Sequence, residues 1–376
     1  MRTIIHRIRI ARQTRSIFGM LTAVALFAVI LTACGGNNNN NNNNSTSPSG
    51  SASPSAGSSD AAQTAGASSP APAANDPIKV KIADIVSNPV FRVAKNKGFF
   101  DKYGIDADIV TFATPAEGIN SLFIKQTDLA WGADFPILNA VSKGDYSIIA
   151  ATGTNTDAAA AQWKLFAQDD IQQGADLKGK KLSTLRGTFL PYLWDEYFKA
   201  NGIAVKDTEQ IGQGGLDEAY IALQKGQIDA TWVTGAALIA KFQTIEGAHE
   251  LTDMSKTPVR IGGDVIAPNS LLEAHPAGVA NFLRAVEEAS QYIAANPEET
   301  ADIMFAEVKQ PKDATLRDLS TVNWAIGFSQ ESFESLSGQK QYMVDNGIIE
   351  KDFDLASKLG LDSLKQAVPD RVTYGQ

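Results

Sequence analysis

From residue 78 onward, strand-like and helix-like segments alternate at short intervals, and this alternation narrows the choice of fold more than any other feature. In PIKVKIADIVSNPVF, Ile78, Val80 and Ile82 alternate with polar residues as in a strand with one buried face. Asn88 can cap the helix that follows, and Pro89 suits its first turn. Gly98 and Gly104 end helical segments, DADIVTF reads as a second strand, and Thr114-Pro115 starts another helix. TDLAWGAD, DFPILNAVSKGD and YSIIAAT continue as strand, helix and strand. A second series starts near Trp163: GKKLSTLRG, TFLPYLWDEYFKANG, GGLDEAYIALQKGQ, IDATWV and TGAALIAKFQTI. Val279, Phe282, Leu283, Val286, Ala289 and Ile293 fall on one face of a later helix. The remainder reads mainly helical. Short βα connections imply two α/β blocks with mostly parallel sheets, and ligands of such sheets bind at the carboxyl ends of strands.

What precedes residue 76 has a different character. MRTIIHRIRIARQTRS carries five arginines and no acid, and the apolar run IFGMLTAVALFAVILTA has the length of a secretory signal and is short for a membrane span. Leu31-Thr32-Ala33-Cys34 resembles the bacterial lipobox, and Cys34 is the one cysteine of the chain. The resemblance implies cleavage after residue 33 and acylation of Cys34. From Gly35 to Asn75 the chain is Gly, Asn, Ser, Pro, Ala and Thr apart from Gln63 and a single charge, Asp60. Such a stretch cannot bury enough apolar surface to fold, and as flexible coil it would span roughly 35 Å. The expected organisation is a signal peptide (1–33), a lipid-anchored disordered linker (34–75) and a folded part of two lobes. Loss of the signal leaves 28 Lys and Arg against 42 Asp and Glu, which argues against a nucleic-acid partner.

Catalytic chemistry is hard to find. Beyond the signal peptide there are two histidines, His249 in EGAHEL and His275 in EAHPAG, both in loop-like surroundings. No spacing suggests a zinc site, and no GxxxxGK[ST] phosphate loop occurs. No metal and no cofactor is expected. Small polar residues instead gather where strands give way to helices: Ser87-Asn88, Thr114, Asp134, Gly187-Thr188 and Thr234-Gly235. Helix N-termini present free N–H groups and partial positive charge, so several together suit a polar or anionic ligand. Arg186 could pair with a ligand anion, and Phe189 and Trp232 could pack its apolar part.

At these residues the chain resembles the nitrate/sulfonate/taurine group of solute-binding proteins that serve ABC importers. VAKNKGFFDKYGIDADIV, DLAWGADFPILNAVSKGD, DLKGKKLSTLRGTFLPYLWDEYFKANGI, ALQKGQIDATWV and AHPAGVANFLRAVEEASQYIAANPEETADI carry the resemblance in order over about residues 77–305. It implies a two-lobed periplasmic-binding-protein fold of type II with a two-stranded hinge near Gln162–Phe166 and Val259–Gly263. Lobe 1 would hold 77–163 and 262–376, and lobe 2 164–261. The resemblance implies a monomeric, lipid-anchored receptor on the extracytoplasmic face of the cell membrane. It would capture a small solute of sulfonate, taurine or nitrate type and deliver it to an ABC permease. A pyrimidine or other thiamine-precursor heterocycle is the alternative ligand, and an enzyme or sensor on the same bilobal fold the alternative function. The chain departs from sulfonate binders at ADIVSN after the first strand, at Gly187-Thr188 where Gly-Ser is usual, and at Val233-Thr234-Gly235 where an acid-Pro-aromatic turn is usual.

Overall fold

A computed structural model describes residues 76–376 with the exception of 186 and 187. The signal, lipobox and linker expectations therefore lie outside the described residues. Twelve strands occur among those described: β1 (Ile78–Ile85), β2 (Ile105–Phe112), β3 (Leu129–Ala133), β4 (Tyr146–Ala151), β5 (Thr154–Asn155), β6 (Lys164–Gln168), β7 (Lys181–Thr184), β8 (Glu209–Gly212), β9 (Ala230–Val233), β10 (Ala248–Asp253), β11 (Gly263–Pro268) and β12 (Val322–Asn323). They form two five-stranded sheets, ordered β2-β1-β3-β11-β4 and β10-β6-β9-β7-β8, and the small pair β12-β5.

Each large sheet is mixed in the same way. In the first, β1 pairs parallel with β2 and β3, while β11 is antiparallel to both β3 and β4. Four strands thus run one way and β11 alone returns. In the second, β7 is parallel to β8 and β9, and β6 is antiparallel to β9 and β10, so β6 is the one reversed strand. The chain passes from the first sheet to the second between Ala151 and Lys164 and returns between Asp253 and Gly263. The α/β, two-lobed class expected from the βα alternation is the observed one, with its reversed strands supplied by the two passes.

Local chemistry explains the elements that position the site. Ile78, Val80 and Ile82 are buried while Lys79 and Lys81 face solvent, so β1 keeps its alternation while pairing along its whole length with β2. Gly104 (φ +75°) makes the turn into β2, a conformation that costs other residues a Cβ clash. The helix Pro276–Ala295 buries all six residues of the expected face, and Phe282 stacks on Phe100 at 5.7 Å in the core of the first sheet. The second sheet has its own core, where Trp194 and Trp232 meet edge to face at 5.8 Å. Six strands were not legible: β5, β6, β8, β10, β11 and β12. His249, read as a loop residue, lies in β10, and its neighbours pair with β6. His275 separates the helices Asn269–Ala274 and Pro276–Ala295, with its Nδ1 2.8 Å from Asp76 Oδ1.

Candidate ligand-binding site

At the end of β1 a buried polar network forms around Arg92. Its guanidinium pairs with Asp84 and donates to the carbonyls of Ile85 (3.0 Å) and Asn88 (2.9 Å) and to Thr111 Oγ1 (2.9 Å). Asn88 is fully buried; its Nδ2 donates to Asp84 Oδ1 (2.9 Å) and its Oδ1 accepts from the Val90 N–H (3.0 Å). Asn88 thus ties Asp84 to the first helical turn. Burial pushes the Asp84 carboxyl up to about 6 against the opposing pull of Arg92. Ser87, one residue earlier, is exposed in the turn. Thr114 is exposed and caps the helix Pro115–Phe123 by accepting from Glu117 N–H at 3.2 Å.

The end of β3 brings two buried acids together. Asp134 opens the helix Asp134–Lys143 and is only 2% exposed. Its Oδ2 accepts from the Gly262 N–H at 3.0 Å and from Gln339 Nε2. It therefore joins the return pass into β11 to the C-terminal helix Gln330–Asp345. Asp264, the second residue of β11, is equally buried, and its Oδ2 has no hydrogen-bond partner. Burial raises both carboxyls above the usual range, and the charge of Asp134 raises Asp264 further.

These two acids line a cavity of about 760 Å³ that also takes Tyr192 and Glu196 from the helix Leu190–Ala200 after β7, and Arg260 from the return pass. Its other walls come from the segment Asn323–Ser329 and from the helix Gln330–Asp345. Tyr192 packs with Phe135 (6.1 Å) and Tyr342 (5.3 Å), so aromatic rings join the second sheet's helix to the first sheet's side. Burial pushes the Tyr192 and Tyr342 hydroxyls up to about 12, which keeps both neutral donors at physiological pH.

On the second sheet, Thr188 Oγ1 donates to Leu185 O (2.7 Å) and accepts from Leu190 N–H (3.2 Å). Phe189 meets Trp163 edge-on at 5.0 Å and is partly buried. Arg186 and Gly187 lie outside the described residues. Thr234 is half-buried, and the exposed Gly235 (φ +91°) leads into the helix Ala236–Phe242. Trp232 is 1% exposed and packed against Trp194 and Tyr197, which makes it part of the second core. Of the described residues that the sequence predicted, only Asp134 lines the cavity. Sequence reasoning missed Asp264, Arg260 and Gln339. Asp264 had left a signal, since a lone acid inside the apolar run GGDVIAP is either out of place or in use. Among the described residues, no group of three or more His, Cys, Asp or Glu is placed to hold a metal.

The family model described as NMT1/THI5 like matches residues 89–300, more than half of the chain. The chain belongs to the NMT1/THI5-like family. Curated relatives in Brucella abortus and Brucella suis, 27% identical over 244 residues that cover 63% of this chain and 73% of theirs, are named only as binding proteins. Among solved structures, the periplasmic aliphatic sulphonate binding protein SsuA of Escherichia coli is similar with a TM-score of 0.63 and 17% identity, covering 75% of this chain and 97% of its own. The periplasmic sulfonate-binding protein SsuA of Methylobacillus flagellatus gives 0.65 and 17%, over 78% and 95%. The desulfurization enzyme DSZB shares the fold at 0.56 and 13%, over 78% and 99%. The resemblance read from the motifs is met in family and in fold. Because binding proteins and an enzyme share this architecture, fold alone does not assign chemistry to a family member.

Proposed function

We propose that this protein is an extracytoplasmic solute receptor of an ABC importer. Its lobes would be residues 77–163 with 262–376, and 164–261, and they would close on a small polar solute and present it to a permease. The observation that carries this reading is the cavity at the carboxyl ends of β3 and β4, which draws Asp134 and Asp264 from one sheet's side and Tyr192 from the other's. A solute touching both sides favours the closed arrangement by its differential affinity, as domain closure requires. Thr114, Thr188 and the Thr234-Gly235 turn stand at other strand ends outside the lining of this cavity, and helix N–H groups there that no side chain takes would meet an anionic part of the solute only on closure. Sulfonate and taurine solutes fit that provision, and the printed names of the structural neighbours agree with it. Acylation at Cys34 would hold the chain to the membrane through its linker. Among the described residues, no helix is long and apolar enough to cross a membrane.

A thermal-shift panel of alkanesulfonates, taurine, nitrate, pyrimidines and amines tests the reading. A solute at 100 times its Kd should stabilise the chain by about 2.7 kcal/mol. Silence across the panel from a folded protein would refute the receptor. Retention of Cys34→Ser in the membrane fraction would refute the anchor.

A further inference from the structure

We propose that the paired carboxylates of Asp134 and Asp264 form a recognition site for a cationic nitrogen, so that the solute carries an ammonium or amidinium group. The inference rests on the receptor reading and adds the chemistry of the ligand. Three observations converge on it. Asp264 is 2% exposed, lines the cavity, and leaves Oδ2 without a hydrogen-bond partner. A buried carboxylate oxygen left in that state costs free energy that a donor entering the cavity would recover. Beside Asp134, the fully buried Gln339 likewise leaves Oε1 without a partner. Gln339 Oε1 is an acceptor, and Asp264 Oδ2 becomes one once its carboxyl gives up the proton that burial favours, an ionisation that a cationic donor beside it would promote.

The charge of the walls points the same way. Six carboxylates, those of Asp134, Glu196, Asp264, Glu331, Glu334 and Asp370, face two arginines across the lining. Arg260 is committed elsewhere, and Arg371 has a partner of its own. Arg260 binds Asp157 Oδ1 through Nε (2.9 Å) and a terminal nitrogen (2.6 Å), and gives its remaining donors to the carbonyls of Ser255, Thr257 and Val259. Arg371 pairs with Glu287 at 3.1 Å. Among the described residues, no basic side chain bonds Asp134 or Asp264. An anion placed against them would oppose ionisation of either acid, while a cation would favour the ionised pair and meet the open Oδ2 of Asp264. The aromatic cluster of Tyr192, Phe135 and Tyr342 borders the same acids and suits a cation's alkyl or planar part.

Matched solutes separate this idea from the receptor reading. Taurine and ethanesulfonate differ by one ammonium; methylammonium, putrescine, agmatine and guanidinium test the cation alone. Each is titrated at up to millimolar concentration against the full chain in detergent, by calorimetry and thermal shift. The expected result is binding of taurine or a simple cation, absence of ethanesulfonate binding, and a loss of roughly tenfold to a hundredfold in affinity for the cation in Asp264→Asn. Asp134→Asn provides a second variant should the first not fold. Binding of ethanesulfonate or a neutral heterocycle with affinity unchanged in both variants would overturn the cation site and leave the receptor standing. No binding of any solute by the folded wild-type chain would overturn both.

Discussion

Gly263 opens β11 at the return pass, and replacing it with alanine should damage the fold beside the cavity. A Cβ at Gly263 would lie 2.3 Å from Trp131 Cζ2 and 2.6 Å from Cε2, well inside the roughly 3.5–4.0 Å that carbon atoms require. The indole would have to withdraw by more than about 1 Å. It has nowhere to go. Trp131 is 7% exposed, its Nε1 donates to Thr152 O at 3.0 Å, and Trp324 packs against it at 6.2 Å. Overpacking of this kind costs about 1–3 kcal/mol, and a lost indole hydrogen bond about 1 kcal/mol more. A total of about 2–4 kcal/mol corresponds in a chain of this size to a Tm lower by roughly 4–8 °C. Differential scanning calorimetry of wild type and Gly263→Ala measures it directly. Gly212→Ala is the control: its Cβ would have open space, so the shift should stay within about 0.5 kcal/mol. Equal Tm values for Gly263→Ala and wild type would refute the argument that Trp131 is locked.

Other outcomes follow from the same contacts. Arg92→Met leaves Asp84 buried without its cation and should cost about 3–5 kcal/mol in denaturant unfolding; a loss under 1 kcal/mol would show that the pair is not buried as described. Trp232→Ala should cost about 3–5 kcal/mol of stability, and a folded Trp232→Phe should keep its solute affinity, because the ring lies in the second core. Asp134 and Asp264 hold their protons above the usual carboxylate range, so the folded state binds those protons more tightly than the unfolded chain does. Their contribution is fully present below the ordinary value of 3.8 and is lost as pH rises through the folded values. Asp264→Asn should therefore gain Tm over wild type more at about pH 8 than at about pH 5; a constant difference would contradict the buried acid pair.

The parts of the fold that could be read from sequence are those whose order is local. β1 declares itself by alternation, and the helix Pro276–Ala295 by six apolar residues on one face. β10 does not. AHELTD is polar and only half-buried, and its pairing with β6, some eighty residues away, holds it in place rather than any propensity of its own. β11 carries two breakers at its ends and an acid inside, so its pattern speaks against a strand even though it lies between β3 and β4. The site follows the same division. Asn88, Thr114 and Thr188 were legible as residues at strand-to-helix turns, and each bonds within its own turn. Asp134 was legible as a helix-opening acid, but its partners Gly262 and Gln339 lie 128 and 205 residues away. Trp232 looked like a wall residue because it stands near a strand end; a tryptophan there faces either the cleft or the core, and the sequence does not distinguish them.

The most direct test of the account is the distance between the two sheets' halves with and without solute. Cys34 is the one cysteine of the chain, so in residues 76–376 alone cysteines introduced at the exposed Lys143 and Lys225 are the only sites for a pair of dyes. The solute that raises Tm in the panel should bring the dyes closer, with a half-saturation that matches its calorimetric Kd. A solute that binds and stabilises the protein while the transfer efficiency stays constant would contradict closure, and with it the receptor mechanism.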